Sequence, residues 1–329
     1  MQRCVPASFR GSVLVRRGEE TLLRVCQGMR DLPNRIPIDE QTRFPTASAG
    51  KAFVAAAVLQ LVEQGRFMLD ETPPGLPEGL APGVTVRRLL NHTSGVPDYF
   101  DESVMDDYDA LWVDFPNYKI RRNGDLFPLF AGKPMLYAPG ERFQYNNTGY
   151  VLLAAAIEAV TGLPFDEQLR RAVFEPAGMS RTGYFELDRL PENCANAYIW
   201  DVARQEYYTN IFSVDAKGTG AGGAYTTVED VSRFWSALFG GRLVGPETLK
   251  AMAGVQAREE DGDAYGFGLW LLQRRGRLLP AFTGCDPGVS FATVFSPEER
   301  LEITAVSNFG DDVWAVRDAL LREIPAVWP

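Results

Sequence analysis

Ser48-Ala49-Gly50-Lys51 opens a long apolar run, Ala52-Phe53-Val54-Ala55-Ala56-Ala57-Val58-Leu59-Gln60-Leu61-Val62. The run is too rich in Ala and Leu for a strand, and its length predicts a buried helix ending near Gly65. Ser48 then falls at the helix start, with Lys51 one turn later on the same face. Side chains three positions apart on a helix lie ~5–6 Å apart at Cβ. A hydroxyl and an amine held that close can serve as a nucleophile and its base.

The chemistry sets conditions on both residues. A serine hydroxyl attacks a carbonyl at neutral pH only when a neighbour takes its proton. Lysine can do so only if its neutral form is populated, which burial and nearby cations favour. The positive end of the helix dipole favours anionic oxygen at Ser48. The plain structural alternative is that Ser48 is an N-cap and Lys51 points to water. A Ser-His-Asp triad is the other serine mechanism, and the chain has one histidine, His92. It follows a short helix capped by Thr85 and reads as a hydrogen-bonded anchor for the next turn. Thr46-Ala47-Ser48-Ala49-Gly50 lacks the first glycine of a Gly-x-Ser-x-Gly elbow, so lysine is the better candidate base.

At 329 residues, with 46% hydrophobic and 23% charged residues, the chain has room for about two domains and a sizeable core. A net charge of −10 argues against a nucleic-acid partner. The N-terminal Met1-Gln2-Arg3-Cys4 shows no apolar leader, and no run approaches the ~18 apolar residues of a membrane span. A cytoplasmic, monomeric protein is expected, with an oligomer left open. A mature exported form that has lost its leader fits the same sequence. Cys4, Cys26, Cys194 and Cys285 are scattered and form no CxxC pair, which predicts reduced thiols and no metal or other cofactor.

Outward from the first helix, the two ends of the chain look strand-like and the middle helical. Gly11 to Gly28 predicts a hairpin turning at Arg17-Gly18-Glu19-Glu20. Leu152 to Val160, closed by Gly162, and Asp166 to Val173 predict helices. Residues 100–140 carry many aromatics without a clean period and read as long loops. Thr226-Thr227-Val228-Glu229-Asp230 reads as a capping-box start to a helix reaching Phe239. Strands are predicted at Gly268–Leu272, Val289–Phe295 and Leu301–Val306, then an amphipathic helix with Val313, Val316, Leu320 and Ile324 on one face. The pattern predicts an α+β fold: an antiparallel sheet flanked by helices and built from both chain ends, residues 1–78 and 184–329. A mostly helical domain, residues 79–183, is inserted between them, and the cleft between the two is the natural place for a site.

Two further segments join Ser48 and Lys51. Phe143-Gln144-Tyr145-Asn146-Asn147-Thr148-Gly149-Tyr150 precedes one predicted helix, and Phe282-Thr283-Gly284-Cys285-Asp286-Pro287-Gly288 precedes a predicted strand. Taken singly, Tyr145 suits a core aromatic, Asn147 an N-cap and Thr283-Gly284 a turn. Taken in order, a Ser-x-x-Lys, a Tyr-x-Asn and a Thr-Gly resemble the serine β-lactamase and penicillin-binding-protein superfamily. The likeness is greatest to its class C-like branch, which includes D-Ala-D-Ala carboxypeptidases and family VIII esterases. Val84 to Gly95, Tyr145 to Gly162 and Ala221 to Thr227 are also similar to stretches of that family, and the resemblance covers roughly residues 10 to 320.

The resemblance implies a β-lactamase/transpeptidase-like fold and a role for each matched residue. Ser48 would form an acyl-enzyme and Lys51 would take or share its proton. Tyr145 would act as a phenolate-like base or as acid for the leaving group. Asn147 would hold the substrate amide or Lys51. Phe282, Thr283, Gly284 and Cys285 would line the substrate site, with the backbone N–H groups of Ser48 and Cys285 as oxyanion hole. Each such donor is worth about 3 kcal/mol. Penicillin-recognising members carry Lys or His where this chain has Phe282, a cation that helps hold a substrate carboxylate. Phe282 therefore turns the expectation toward a small-molecule ester or related amide, with D-Ala-D-Ala carboxypeptidase or β-lactamase as the alternative. A catalytically idle, ligand-binding relative is the remaining reading.

Overall fold

The predicted N-terminal hairpin forms from β1 (Gly11–Arg17) and β2 (Glu20–Gln27), with Gly18 at φ +58° in its turn. In this computed structural model, which describes residues 1–105, 107–260 and 262–324, the distal part of the chain supplies the rest of the sheet. Its strands are β3 (Ala257–Arg258), β4 (Ala264–Tyr265), β5 (Trp270–Arg274), β6 (Arg277–Asp286), β7 (Val289–Ser296) and β8 (Leu301–Ser307). Every pairing is antiparallel, in the order β2-β1-β8-β7-β6-β5-β4-β3. The chain ends thus meet inside the sheet, where β1 pairs with β8 from Gly11↔Ser307 to Arg17↔Leu301.

Period-two alternation sends the strand side chains to two different cores. Val13, Val15, Ala281, Val294 and Ile303 face one side and pack under the C-terminal helix, Val313–Glu323. That helix buries Val313, Val316, Leu320 and Leu321, with Ile324 just past its end. Leu14, Phe282, Phe291 and Val306 face the other side and join the larger core. That core is built on helix α1 (Lys51–Glu63), whose residues Lys51 to Leu59 and Leu61 are all buried. An apolar helix surrounded on every side is the expected fate of so many small and branched side chains.

Helix α2 (Val86–Leu90) has the Thr85 cap read from the sequence; the Arg88 N–H donates to Thr85 Oγ1 at 3.3 Å. Helix α3 (Asn147–Thr161) begins five residues before the expected Leu152 and ends at Gly162, φ +71°. Helix α4 (Val228–Phe239) packs against the sheet and is capped by Thr227. The other half of the expected capping box is not made, because the Asp230 carboxylate instead accepts from the Arg181 N–H at 2.8 Å and the Thr182 hydroxyl at 2.9 Å. The predicted 166–173 helix is present within one uninterrupted helical run, Phe165–Ala177, that carries a π turn at Arg170–Phe174. Buried residues of α2, α3 and Phe165–Leu169 share one continuous core with α1, so the helical middle of the chain packs directly onto the nucleophile helix. Among the described residues no single helix is long and apolar enough to cross a membrane.

The largest correction concerns Phe282-Thr283-Gly284-Cys285. These residues do not precede a strand as a turn. They are part of the ten-residue strand β6, paired with β7 from Ala281↔Val294 to Asp286↔Val289. Thr and Gly disguise the strand in sequence, because one is polar and the other has no side chain to reveal an alternation.

Candidate active site

Ser48 lies not at the N-cap of the long helix but in a 3-10 turn, Ala47–Gly50, that runs directly into α1. Side chains three apart eclipse in such a turn, which aligns Ser48 with Lys51 more tightly than an α-helix would. The turn is entered sharply: Ala47 stands at φ +46°, a left-handed conformation costing of order 1–3 kcal/mol for a residue with a side chain. Neighbouring backbone holds it there. The Gly223 N–H donates to Ala47 O at 3.1 Å, and a Cβ on Gly222 would stand 2.3 Å from that same oxygen.

Lys51 is 2% exposed, and its Nζ donates to Ser48 Oγ at 2.9 Å, Asn147 Oδ1 at 2.8 Å and Ala221 O at 2.6 Å. All three ammonium hydrogens are thus used, as a buried charge requires. Burial pushes the Lys51 pKa down to about 8 against the opposing pull of Glu102, Asp98 and Asp286. Roughly a tenth of the amine is therefore neutral at pH 7 and half at pH 8, the condition set by the sequence argument.

Asn147 is not the cap of α3. Its neighbour Asn146 is, accepting from the Gly149 N–H at 2.7 Å. This frees the Asn147 amide to grip Lys51, while its own Nδ2 donates to Phe100 O at 3.1 Å and Glu102 Oε1 at 3.0 Å. Of the two roles expected for Asn147, the hydrogen bonding matches the hold on Lys51.

Tyr145 comes from the other side of the cleft and turns its phenol toward Ser48, which acts on its titration. The Lys51 Nζ lies 4.9 Å from the centroid of its ring. Burial, with the charge of Glu102, pushes the phenol well above the ordinary tyrosine range, and Ser48 opposes this. Tyr145 is therefore a neutral phenol at neutral pH. The phenolate-like alternative is not favoured here, because nothing close enough stabilises the anion more than burial penalises it.

His92 supplies what holds Tyr145 in place. Its backbone oxygen accepts from the Gln144 N–H at 3.0 Å and its Nδ1 from the Asn146 N–H at 3.1 Å, so it grips both neighbours of Tyr145. The Tyr145 ring lies between His92, with centroids 4.4 Å apart, and Trp270, with centroids 6.0 Å apart. Burial and Lys51 lower the His92 pKa well below its ordinary value, so the ring is neutral. The anchor read from the sequence is correct, though what it anchors is the phenol-bearing segment.

The end of β6 closes the site. Alternation places Phe282 and Gly284 on the α1 side of the sheet and Thr283 and Cys285 on the opposite side. Phe282 is 2% exposed and packs on Trp235, Phe234 and Phe53, with ring centroids 4.9, 5.6 and 5.9 Å away. Phe282 was expected to line the substrate site; its side chain is instead in the core. Thr283 lines the cleft, but its hydroxyl donates to Phe291 O and accepts from Trp314 Nε1, both at 2.8 Å. It fixes the cleft wall and has no proton left to donate. Cys285 is exposed in the same wall.

Gly284 is dictated by close approach. A Cβ there would stand 2.3 Å from Thr46 O and 2.7 Å from Ser48 N, so the strand backs onto the nucleophile turn with no room for a side chain. Gly284→Ala is expected to leave the protein folded by circular dichroism and to lower kcat/KM about 100-fold, since displacement of a reacting group by an ångström costs that much. A variant with near-normal turnover would show that the strand can yield without moving Ser48.

Two clefts meet at Ser48. One is lined by Tyr145, Trp270, Thr283, Cys285 and Trp314, with Glu102, Glu259 and Glu260 on its wall and Arg142 at its edge. The other is lined by Tyr99, Asn147, Asp215, Tyr225 and Asp286. Sequence reasoning missed Asp98, Glu102, Asp215 and Asp286, single acids in irregular segments or beside a glycine turn, with no motif of their own. The only available signal was the aromatic-rich loop character from residue 100 onward. Among the described residues, no group of three or more His, Cys, Asp or Glu side chains could hold a metal ion.

Comparison with known proteins agrees with this geometry. A family model described as Beta-lactamase matches residues 9–325. The fold superposes on a penicillin binding protein from Bacillus halodurans with a TM-score of 0.92 and 38% identity, covering 96% of this chain and 97% of that one. In sequence, the chain is 30% identical to penicillin-binding protein 4* of Bacillus subtilis, over 92% of this chain and 69% of the relative. It is 31% identical to esterase EstB of Burkholderia gladioli, over 78% of this chain and 73% of the relative.

Proposed function

The chain belongs to the beta-lactamase family and is a serine hydrolase of that family, and from that premise we propose that it hydrolyses small, uncharged or cationic carboxylic esters and related amides through an acyl-Ser48 intermediate. The observation that carries this reading is the charge of the site. Glu102, Glu259 and Glu260 line the Tyr145–Trp270 cleft, and Asp215 and Asp286 line the other, where burial raises them to about 7 and about 8 so that they are largely protonated at neutral pH. Among the described residues the one cation on their walls besides the buried Lys51 is Arg142, which is paired with Glu141 at 3.3 Å and stacked over Tyr137 at 4.2 Å. A substrate carboxylate would meet repulsion there, and the position that carries Lys or His in carboxylate-binding relatives holds the core residue Phe282.

The reaction follows from the groups present. Neutral Lys51 takes the Ser48 proton as Oγ bonds to the carbonyl carbon. The N–H groups of Ser48 and Cys285 receive the carbonyl oxygen as it gains negative charge; the Ser48 N–H, in the first turn of a helix, has no intrahelical partner to lose. Tyr145 gives its proton to the departing alkoxide or amine as the bond to carbon breaks. Protonated Lys51 returns its proton to Tyr145, and in deacylation neutral Lys51 takes a proton from water, whose oxygen attacks the acyl carbon. Ser48 then leaves with the proton held by Lys51, and both groups return to their starting states.

The likeness to an esterase, EstB, supports the ester reading. The close superposition on the Bacillus halodurans protein supports a second one, acylation by β-lactams. Purified protein assayed with p-nitrophenyl butyrate and with a chromogenic cephalosporin separates them. Turnover of the ester with slow or no turnover of the cephalosporin is expected, and the opposite order would make the lactam reading the correct one.

A further inference from the structure

Resting on the acyl-Ser48 reading, we propose that Glu102 is a positioning residue for the base: tied to Lys51 through the side-chain amide of Asn147, its carboxylate holds the ammonium form and so restrains hydrolysis at neutral pH. The link consists of two hydrogen bonds. Lys51 Nζ donates to Asn147 Oδ1 at 2.8 Å, and Asn147 Nδ2 donates to Glu102 Oε1 at 3.0 Å and to Phe100 O at 3.1 Å. A donor on one side of the amide and two acceptors on the other fix its orientation. A carboxylate drawing on Nδ2 polarises the amide and makes Oδ1 a stronger acceptor. That favours the ammonium over the neutral amine. The neutral amine is the form that takes the Ser48 proton, so the same link opposes the first step of the reaction.

The other groups around Lys51 act differently. Three carboxylates influence it: Glu102 and Asp98 from the segment before α3's partner loop, and Asp286 from the end of β6. Asp98 is engaged at the start of α3, where it accepts from the Asn147 N–H at 2.7 Å, the Thr148 N–H at 2.9 Å and the Thr148 hydroxyl at 3.0 Å. Burial raises Asp286 to about 8, so it is mostly uncharged at pH 7. The rings of Tyr145 and Tyr150, centred 4.9 and 5.8 Å from Nζ, are neutral, as is His92. Ser48 Oγ and Ala221 O complete the surroundings of Nζ without charge. Glu102 is thus the carboxylate joined to the amide that grips Lys51, and its pull is the largest that opposes the effect of burial there. It is itself exposed, on the wall of the cleft that contains Ser48.

The test is the pH dependence of kcat/KM for p-nitrophenyl butyrate, an uncharged ester, in the natural protein and in Glu102→Gln. Glutamine keeps an acceptor for Asn147 Nδ2 and removes the charge. Loss of a neighbouring negative charge makes an amine easier to deprotonate, by about one pH unit for a close pair. The midpoint, which reports the free enzyme, should therefore fall from about 8 by roughly that amount. At pH 7 the neutral fraction of Lys51 then grows from roughly a tenth to half, and kcat/KM should rise about fivefold. Above pH 9, where Lys51 is mostly neutral in both proteins, no gain is expected. A variant that loses activity at every pH with its midpoint in place overturns the proposal, because that is what a merely structural role would give. Glu102→Ala, which also strips the acceptor from Asn147, should show the lowered midpoint with a lower plateau. Glu260→Gln removes a charge from the same cleft wall, outside the hydrogen bonds of Asn147. An equal shift in that variant would overturn the route through Asn147. Fluorophosphonate labelling of Ser48, timed over the same pH range, keeps the two levels apart. No labelling and no turnover in the natural protein removes the acyl-Ser48 reading, whereas labelling with a midpoint that Glu102→Gln leaves unmoved removes only the role of Glu102.

Discussion

Ser48→Ala is expected to abolish hydrolysis, lowering kcat by about 10⁴–10⁶-fold while leaving the fold intact. Residual rate enhancement in such variants comes from binding and from the backbone donors, which this substitution retains. Structural damage should be small, because among the described residues the Ser48 hydroxyl's one side-chain hydrogen bond is with Lys51, at the cleft surface. Two measurements check the result. Steady-state turnover of p-nitrophenyl butyrate should fall to the uncatalysed background. Intact-protein mass spectrometry after fluorophosphonate treatment should show one adduct on the natural chain and none on the variant. Turnover above about 1% of the natural rate would place the nucleophile elsewhere.

Lys51→Met is expected to be nearly as damaging, lowering kcat/KM by about 10³–10⁴-fold, the upper range for a positioned general base. The substitution keeps the apolar stem but withdraws the donor from Asn147 Oδ1 and Ala221 O. Each buried acceptor left bare costs about 1–3 kcal/mol, so thermal unfolding must be followed beside activity. The pH profile separates the base from the scaffold. Burial lowers the Lys51 pKa from the ordinary lysine range to about 8. Below that pH the amine is protonated and cannot accept the Ser48 proton; above it the neutral form dominates. In the natural protein kcat/KM should therefore rise with pH, with a midpoint at about 8, and then level off. A Lys51→Met variant should lack that limb. A profile flat from pH 6 to 10 in the natural protein would exclude Lys51 as the titrating base.

Some elements were legible in the sequence because their signals are local. The hairpin turn at Gly18, the Thr85 and Thr227 caps and the buried α1 are decided by nearest neighbours and by hydrophobic period. β6 was not legible, since Thr283 and Gly284 break its apolar pattern at the very place where it approaches Ser48. Taken singly, Asn147 read as a cap, and nothing local decides against it. Two asparagines stand side by side, and only the path of the chain into α3 decides which one caps and which one turns to Lys51. Phe282 shows the same limit: sequence order put it in the substrate site, and strand alternation turned it into the core.

The chain by itself determined that an alcohol and an amine share one turn of a buried segment, and that a phenol and a Thr-Gly pair accompany them. Spacing of three along a helix is a covalent fact, and burial of the Ala-rich run follows from its composition. Tertiary structure alone decided the chemical state and reach of those groups. Lys51 is poised to lose its proton because packing removes water around it, and Tyr145 reaches Ser48 because His92 and Trp270 hold its ring from segments distant in sequence. The acids of the two clefts lie far apart along the chain, and no local pattern announces that they face one space. Desolvation and charge–charge coupling act through space, so groups without a motif acquire their meaning only when the fold brings them together.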